Sequence, residues 1–552
     1  MRPSVAGHRF ANFLLVAVVC GGCVALPVGT VDVAPSRGIS FDPLLYPHPE
    51  EITAGELDVR IDEREIVDAP GGRTLLRVRF SFASYHGFVG EDDAHRSSGA
   101  LWVPTDGEGN ARPDRIGYAL ITEHPPGSSL SAFPFWREYG ERPAAELGVV
   151  AAVVDVRGPV ASSLREYVNP ADPDGSPFAS EPQLAYAMLR EYQRTGDMTV
   201  LYEYHVAWAW LRALRAVDAI VAEETGVSRN AFLVVAQDYG ALGAAQAAVL
   251  DDGVRGLVLT GWPLDFADFH YTRWRRWELA AGYAPLHAIQ PIPFADSHEV
   301  FTFLASTPYE PDPGCPACPA GGDGWLAQFD LLRLWRAGDL RTPLFLLAGD
   351  SDPSSPIDLE LRTATSAESA PPEFVLAPDG GPLRADARRF PWVDLHYLRD
   401  SASTLAHADA SDCVRAWMQH VIGSRELPRI DVVERRENGD IVIEIVTAPG
   451  ATSISDVEVS FTEIDARRDS DFLWRTHQPE PERVDWRRPA TIYGGPRGFA
   501  DGWSATLPPN PGVDRAYYVS VLDRAGDREA WHSLPVRTFW NLGDPARRRV
   551  RF

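Results

Sequence analysis

The sequence predicts an α/β fold: a mostly parallel sheet with a cap insertion, followed by a C-terminal β-sandwich domain at residues 426–545. Between residues 51 and 425, short apolar runs alternate with helical patterns, as parallel strands joined by helices do. After Pro428, polar and apolar residues alternate between Gly-, Pro- and Asn-rich turns, which is typical of antiparallel strands. A chain of 552 residues is also too long for a single hydrophobic core.

The composition argues against several classes of function. The formal net charge is −25, which disfavours binding to nucleic acid or to an anionic membrane through a basic surface. All 52 basic residues are arginine, so a lysine Schiff base and a P-loop lysine are both excluded. No motif in the sequence indicates a cofactor or a metal.

The N-terminus has the pattern of a signal peptide over residues 1–22. Arginines precede an apolar run, Phe13–Val19, that is too short for an ordinary membrane-spanning helix. Gly21-Gly22-Cys23 resembles the bacterial lipobox, which implies cleavage before Cys23 and its lipidation. Residues 23–50 are Pro-rich and are interpreted as a tether. We therefore expect an exported cell-envelope lipoprotein with an N-terminal lipid anchor, or alternatively a secreted soluble protein.

The elements of the region 51–425 follow in order. The predicted strands are 75–83, 99–103, 116–122, 149–156, 232–236, 254–260, 343–348 and, as the last one, either 373–377 or 392–398. Helical patterns cover 135–147, the long region 181–224, the stretch after Gly240, and a final helix that Ser411 or Asp412 would cap and Gly423 would end. The aromatic-rich stretch 262–340 interrupts the alternation and is interpreted as a cap over the site.

The central motif is Ala236-Gln237-Asp238-Tyr239-Gly240, between a buried strand and an Ala-rich helix. Strand, sharp turn and small-residue helix form the nucleophile elbow of α/β-hydrolases, written G-x-S-x-G. The elbow places its nucleophile at the strand tip and points the next backbone N–H at a developing oxyanion. Here Asp238 occupies the position of the nucleophile.

An acid and a base are expected later in the chain, in the order nucleophile, acid, histidine. Gly349-Asp350-Ser351-Asp352-Pro353 directly follows a predicted strand, and Asp352 is the preferred acid, with Asp350 as the alternative. His407 precedes the final helix and is the preferred base, with His396 as the rival.

A wider resemblance rests on Ser180–Tyr186, the helix ending in Ala216-Val217-Asp218, the elbow, and Phe329-Asp330 before the next strand. Together these are similar to the PhoPQ-activated pathogenicity-related family, over about residues 70–540. The resemblance implies an α/β-hydrolase-like fold, export and a trailing β domain. That family has Ser followed by Lys-Arg-Gly at its elbow, so a serine-hydrolase mechanism does not carry over to Asp238.

Locally, the elbow resembles haloalkane dehalogenases and epoxide hydrolases, which carry Gln/His-Asp-Trp-Gly. The resemblance implies that Asp238 attacks carbon to form an ester, His407 activates the water that hydrolyses it, and Asp352 orients the histidine. Tyr239 replaces the halide-binding Trp, which argues against dehalogenation. The H-G-x-P oxyanion motif aligns with Glu123-His124-Pro125-Pro126, so His124 enters the candidate site, while Pro125 has no N–H to donate.

Cys315 and Cys318 lie in a Pro/Gly-rich loop as Cys-Pro-Ala-Cys. In an oxidising compartment this spacing favours a local disulfide over a metal site, because no second Cys-x-x-Cys pair exists.

Two functions remain open from the sequence. The first is an exported hydrolase that acts through Asp238 on an ester or a carbon electrophile. The second is a catalytically inactive hydrolase-fold protein that binds a ligand, or a surface partner through its β-sandwich domain. The enzyme requires Asp238, Asp352 and a histidine to converge in one pocket.

Overall fold

In the computed structural model, the described residues of the first part of the chain are 46, 49–86, 94–106, 108–112, 117–125, 133–158, 184, 185, 188, 192, 197–228, 231–262, 330, 331, 334, 339–349, 393–398 and 404–423. Those of the C-terminal part are 430–437, 440–447, 453–464, 492–494, 502–507, 514–525, 528–533 and 537–539. None of the helices within these ranges combines the length and the apolar character needed to cross a membrane.

A nine-stranded sheet forms the centre of the first part. In chain order its strands are β1 Arg60–Ala69, β2 Arg73–His86, β3 Ala94–Pro104, β4 Tyr118–Glu123, β5 Val150–Val154, β6 Ala231–Gln237, β7 Val254–Thr260, β8 Leu344–Gly349 and β9 Val393–Leu398. Their order across the sheet is β1-β2-β3-β5-β4-β6-β7-β8-β9. The pairs β1-β2, β2-β3 and β3-β5 are antiparallel. Every neighbouring pair in the series β5-β4-β6-β7-β8-β9 is parallel. This mostly parallel topology fits the α/β-hydrolase fold.

Helices cover both faces of the sheet. They are α1 Ala54–Leu57, α2 Phe133–Trp136, α3 Arg142–Leu147, α4 Tyr202–Thr225, α5 Tyr239–Leu250 and α6 Ala410–Val421, with a π-helical turn, Arg137–Glu141, between α2 and α3. The alternation of side chains along β6 assigns the two faces: Phe232 and Val234 pack with α4 and α5, whereas Leu233 and Val235 pack with α3 and α6. A strand buried on both faces is therefore apolar throughout.

Several sequence predictions are confirmed. Strand β7 has the predicted bounds, and the last strand of the sheet is the second of the two candidates, Val393–Leu398. Trp210 on α4 and the apolar residues spaced with it are fully buried, so this stripe is core. Each such large apolar side chain contributes about 1.5–3 kcal/mol of transfer free energy. The candidate strand 373–377 lies outside the described residues.

Other predictions need correction. Helix α6 begins at Ala410 with Asp409 in the cap position, and no side chain caps it, so neither Ser411 nor Asp412 is the N-cap. Its end is as predicted: Gly423 has φ +73° and donates its N–H to the His420 carbonyl at 2.8 Å.

Tyr46 lies within the predicted tether, and its side chain is buried. Its hydroxyl accepts a hydrogen bond from Gln246 Nε2 of α5 at 3.1 Å, and its ring lies 5.1 Å from that of Tyr204 on α4. The folded body therefore reaches back at least to Tyr46, because Tyr204 belongs to the central core and Gln246 is buried.

The C-terminal part consists of two antiparallel sheets. Its strands are β10 Ile430–Glu437, β11 Asp440–Thr447, β12 Ser453–Ile464, β13 Ile492–Gly494, β14 Gly502–Leu507, β15 Asp514–Ala525, β16 Arg528–Ser533 and β17 Arg537–Phe539. One sheet has the order β10-β11-β14-β13, and the other has β12-β15-β16 with β17 also on β15. Ile443 and Ile445 from the first sheet share a buried apolar cluster with Val457 and Val519 from the second. Its classification as a β-sandwich domain stays a prediction.

Candidate active site

Asp238 lies in a strained turn between β6 and α5. Its backbone has φ 52° and ψ −131°, and Asp58 is the only other non-glycine residue with positive φ among the described residues. A bulky L-residue adopts this region at a cost of about 1–3 kcal/mol and keeps it only where its surroundings enforce it. The Asp238 N–H donates to the Thr260 carbonyl at 2.9 Å, and its carbonyl accepts from the Ala241 N–H at 3.0 Å. These bonds fix the elbow that the sequence predicts.

Three glycines make this turn possible. A Cβ on Gly240 would overlap the Glu123 carboxylate, and a Cβ on Gly261, which has φ +74°, would overlap the Asp238 carboxylate. A Cβ on Gly243 would lie 2.6 Å from Val206 Cγ1, because α5 packs closely on α4. The small residues of the motif are therefore required by close approach.

The Asp238 side chain is 49% exposed, so its carboxylate is open to solvent. Its Oδ2 lies 3.8 Å from Nη2 of Arg157, a side chain that is only 1% exposed. The candidate nucleophile is therefore an exposed carboxylate beside a buried cation.

Arg157 is held by a second carboxylate. Its Nε donates to Oε1 of Glu123, which is completely buried, and Glu123 Oε2 accepts the Gln237 N–H at 3.0 Å. Glu123 thus joins the guanidinium to the backbone of the elbow. Removal of either partner from such a buried pair would leave the other charge buried without its counter-ion.

From the sequence, neither Glu123 nor Arg157 was given a catalytic role. A signal was present: Glu123 is the last residue of the apolar strand β4, Arg157 follows the apolar strand β5, and β4 lies between β5 and β6 in the sheet. The carboxyl ends of parallel strands meet at one edge, where α/β proteins bind ligands. The strand order therefore brings Glu123, Arg157 and Asp238 together.

His124 was predicted near the oxyanion site. Its backbone N–H donates to the Val154 carbonyl at 2.8 Å, and its buried ring meets that of Phe135 edge-on at 5.7 Å. Because Pro125 has no N–H, neither residue offers a backbone donor to an oxyanion. Tyr239, the first residue of α5, lies between the rings of Tyr202 at 5.4 Å and Trp262 at 5.1 Å.

The turn that carries His407 lies against the elbow. The Leu405 N–H donates to Gln237 Oε1 at 3.5 Å, and the Leu405 carbonyl accepts from the Tyr139 hydroxyl at 2.7 Å. His407 Nδ1 accepts the Asp409 N–H at 3.2 Å, and Asp409 Oδ2 lies 3.8 Å from the same nitrogen. A neutral ring that accepts at Nδ1 carries its proton on Nε2.

His396, the rival base, lies elsewhere. It is buried in β9, and its Nδ1 lies 3.0 Å from Ser533 Oγ of β16. Ser533 Oγ also accepts the Tyr397 N–H at 3.1 Å and lies 2.7 Å from Ser520 Oγ. His396 therefore belongs to the contact between the main sheet and the C-terminal part, and His407 is the histidine beside the elbow.

The other predicted site residues lie outside the described residues: Asp352, Asp350, Cys23, Cys315 and Cys318. Among the residues that the structure describes, no group of His, Cys, Asp and Glu side chains could hold a metal ion.

No family model matches the chain, and a search of curated proteins found no match. Membership of the PhoPQ-activated family therefore stays a prediction. Solved structures do show a likeness. Acetyl xylan esterase 1 from Thermoanaerobacterium sp. has a TM-score of 0.33 at 13% identity, over 63% of this chain and 83% of that one.

Two further structures are similar at the same level. An acetyl xylan esterase from Paenibacillus sp. R4 has a TM-score of 0.35 at 12% identity, over 68% of this chain and 90% of that one. A glucuronoyl esterase from Solibacter usitatus has a TM-score of 0.35 at 10% identity, over 68% of this chain and 86% of that one. Because these TM-scores are below 0.5, the likenesses carry no argument about function, which rests on the site itself.

Proposed function

We propose that this protein is a hydrolase that attacks an ester or a carbon electrophile with the carboxylate of Asp238. The single observation that carries the proposal is the backbone of Asp238, with φ 52° and ψ −131° at the tip of β6. A strained, exposed carboxylate at this point is the arrangement expected of a nucleophile elbow. A carboxylate also needs no base to remove a proton before it attacks.

The proposed reaction has two steps. In the first, a carboxylate oxygen of Asp238 bonds to the electrophilic carbon, and the leaving group departs with its electron pair. In the second, water attacks Asp238 Cγ, its proton passes to His407, and a tetrahedral oxyanion forms. The oxyanion collapses, and the bond from Cγ to the substrate-bearing oxygen breaks. The product leaves with the proton from His407, as an alcohol after attack at saturated carbon or as an acid after attack at an ester carbonyl, and the Asp238 carboxyl gives its remaining proton to solvent.

His407 acts as a base at Nε2 only if its own proton is on Nδ1. The Asp409 carboxylate, 3.8 Å from Nδ1, is the described group that could accept a bond from that proton. Asp352 is the proposed orienting acid on the basis of the sequence. His407 is preferred to His396 because its turn contacts Gln237, the neighbour of Asp238.

Among the electrophiles, the site favours saturated carbon. Attack on an ester carbonyl develops negative charge on the substrate oxygen and requires donors aimed at it. The His124 N–H is already bonded to Val154, and Pro125 has none, so neither of these two residues supplies the second donor of the expected oxyanion hole. Displacement at saturated carbon places its negative charge on the leaving group instead.

The test is a screen of the purified protein against aryl esters, epoxides and alkyl halides, with Asp238→Asn beside it. Asp252→Asn is the matched control, because Asp252 is an exposed carboxylate after the other end of α5. We expect turnover in the wild type and the control, and a loss of about 1,000-fold or more in Asp238→Asn. Wild-type turnover by Asp238→Asn would contradict the proposal.

A second candidate function is ligand binding without catalysis. The observation that favours it is the His407 ring, whose Nδ1 accepts the Asp409 N–H and whose Nε2 therefore carries the proton. If no substrate turns over while a small molecule binds and is lost in Asp238→Asn, this function replaces the first.

Export and domain division belong to the same proposal. Residues 1–22 would be removed, Cys23 lipidated, and residues 426–545 left to bind a surface partner as a separate β domain. Cys315 and Cys318 would form a disulfide in the exported protein. Mass spectrometry of non-reduced peptides tests this bond, and two free thiols or bound zinc would contradict it.

A further inference from the structure

We propose that Arg157 stabilises the oxyanion that forms on Asp238 while its ester is hydrolysed, in place of the missing backbone donor. The proposal rests on the proposed function, since it concerns the second step of that reaction. It assigns a catalytic role to a guanidinium that was not among the site residues expected from the sequence.

The first step in the argument is the fixed position of the guanidinium. Its Nε is bonded to Glu123 Oε1, and the side chains of both residues are at most 1% exposed. Glu123 cannot move away easily, because its other oxygen accepts the Gln237 N–H at 3.0 Å and Gly240 packs against the carboxylate. Nη2 is therefore held on the side of Asp238, at 3.8 Å from Oδ2.

The second step is the change in charge through the reaction. Among the described residues, the carboxylates of Glu123 and Asp238 share the Arg157 guanidinium in the resting site. Alkylation makes Asp238 neutral and leaves Arg157 paired with Glu123. Attack of water at Cγ then returns a negative charge to the Asp238 oxygen that faces Nη2. A closure of about 1 Å gives this oxyanion a charge-assisted hydrogen bond of ordinary length.

The orientation of the Asp238 side chain gives its two carboxylate oxygens different neighbours and different roles. Oδ2 faces Arg157 and is the oxygen that stays as the ester carbonyl and becomes the oxyanion. Oδ1 lies on the side of Gly261, whose missing Cβ leaves room for it, and is the oxygen left to attack the substrate. A preorganised cation that needs no movement of charge at the moment of reaction is the most effective form of such stabilisation.

The third step is the shortage of other donors among the residues that the structure describes. The His124 N–H is bonded to the Val154 carbonyl, and Pro125 has no N–H. The backbone of Tyr239, at the start of α5, is the position that the elbow motif provides for one donor. Arg157 supplies the second partner that a tetrahedral oxyanion needs.

A merely structural role and this catalytic role predict different kinetics. Arg157 stabilises the Asp238 carboxylate before attack, so its loss should not slow ester formation by much. The same loss removes a partner of the oxyanion, so hydrolysis should slow by about 100–1,000-fold. The ester would then accumulate, which loss of folded protein alone cannot produce.

The test compares ester formation and hydrolysis by rapid quenching and intact-protein mass spectrometry, with a substrate that the wild type turns over. Arg157→Gln combined with Glu123→Gln removes the guanidinium without leaving a buried carboxylate unpaired. Arg215→Gln with Asp251→Asn is the matched control, a neutralised pair remote from the elbow. Arg157→Lys keeps a cation for Glu123 but has no second nitrogen for Asp238.

We expect the double variant at residues 123 and 157 to accumulate the ester, the control to behave as the wild type, and Arg157→Lys to slow hydrolysis at least tenfold. Equal losses in both steps, or a wild-type hydrolysis rate in a folded Arg157→Lys, would overturn the role of Arg157 alone. If neither the wild type nor His407→Ala ever forms an ester, the proposed function fails, and the role of Arg157 fails with it.

Discussion

Glu123→Gln should destabilise the protein strongly, although the side chain changes by one group. The glutamine can still accept the Gln237 N–H through its oxygen, so the backbone bond to the elbow is kept. What is lost is the charge that pairs with Arg157, and removal of one partner from a buried pair costs about 3–5 kcal/mol. The Asp238 carboxylate, 3.8 Å from Arg157, offsets part of this cost, so we expect the free energy of unfolding to decrease by about 2–4 kcal/mol.

Thermal unfolding of the two proteins measures this loss. With about 2.1 cal/mol/K of unfolding entropy per residue, a body of this size shifts its Tm by about 1–2 °C per kcal/mol, so we expect a decrease of about 2–8 °C. The matched control is Asp251→Asn, which removes a carboxylate 2.7 Å from Arg215, an arginine that is 26% exposed. Because water screens the charge of that arginine, the free energy of unfolding of the control variant should decrease by about 1 kcal/mol or less. Equal decreases in Tm would refute the argument that burial of both partners sets the cost.

Three further outcomes follow from particular contacts. Tyr139→Phe removes the hydroxyl that bonds the Leu405 carbonyl, and we expect a loss of about 1–2 kcal/mol in unfolding free energy, with a lower kcat and an unchanged KM once a substrate is known. Burial lowers the pKa of His205 to about 3, so the unfolded state binds more protons and stability falls as the pH drops from about 6.5 toward 3. His205→Asn should flatten this slope by up to about 1.4 kcal/mol per pH unit in denaturant titrations, and an unchanged slope would contradict the assignment. Cys23→Ser should move the protein from the membrane to the soluble fraction and abolish incorporation of labelled fatty acid; a wild type that never takes up the label would contradict lipidation.

The elements that the sequence predicted best are those whose burial is uniform. Strand β7 was placed to the residue, because its apolar run ends at polar turns. Strand β1, Arg60–Ala69, was missed because it is an exposed edge strand in which charged residues hide the alternation. The π-helical turn Arg137–Glu141 was also missed, since its hydrogen bonds leave no distinct sequence period.

In the candidate site, too, the sequence predicted the features that are local in the chain and missed those that depend on tertiary structure. The elbow at Asp238 was predicted because its turn, its strand and its small-residue helix are contiguous in the chain. The Glu123–Arg157 pair spans 34 residues and reaches Asp238 only through the order β5-β4-β6. No local pattern encodes that order. The choice of His407 over His396 was likewise decided by tertiary contacts, through Leu405 on one side and Ser533 on the other.

The central claim is that Asp238 is the nucleophile, and a single turnover in oxygen-18 water tests it most directly. The chain has no lysine, so trypsin releases residues 230–255 as one peptide that contains Asp238. We expect this peptide to gain one oxygen-18, located at Asp238 by fragmentation, while the first alcohol released carries ordinary oxygen from the protein. Oxygen-18 in the alcohol and none in Asp238 would show that water attacks the substrate directly, and would contradict the account.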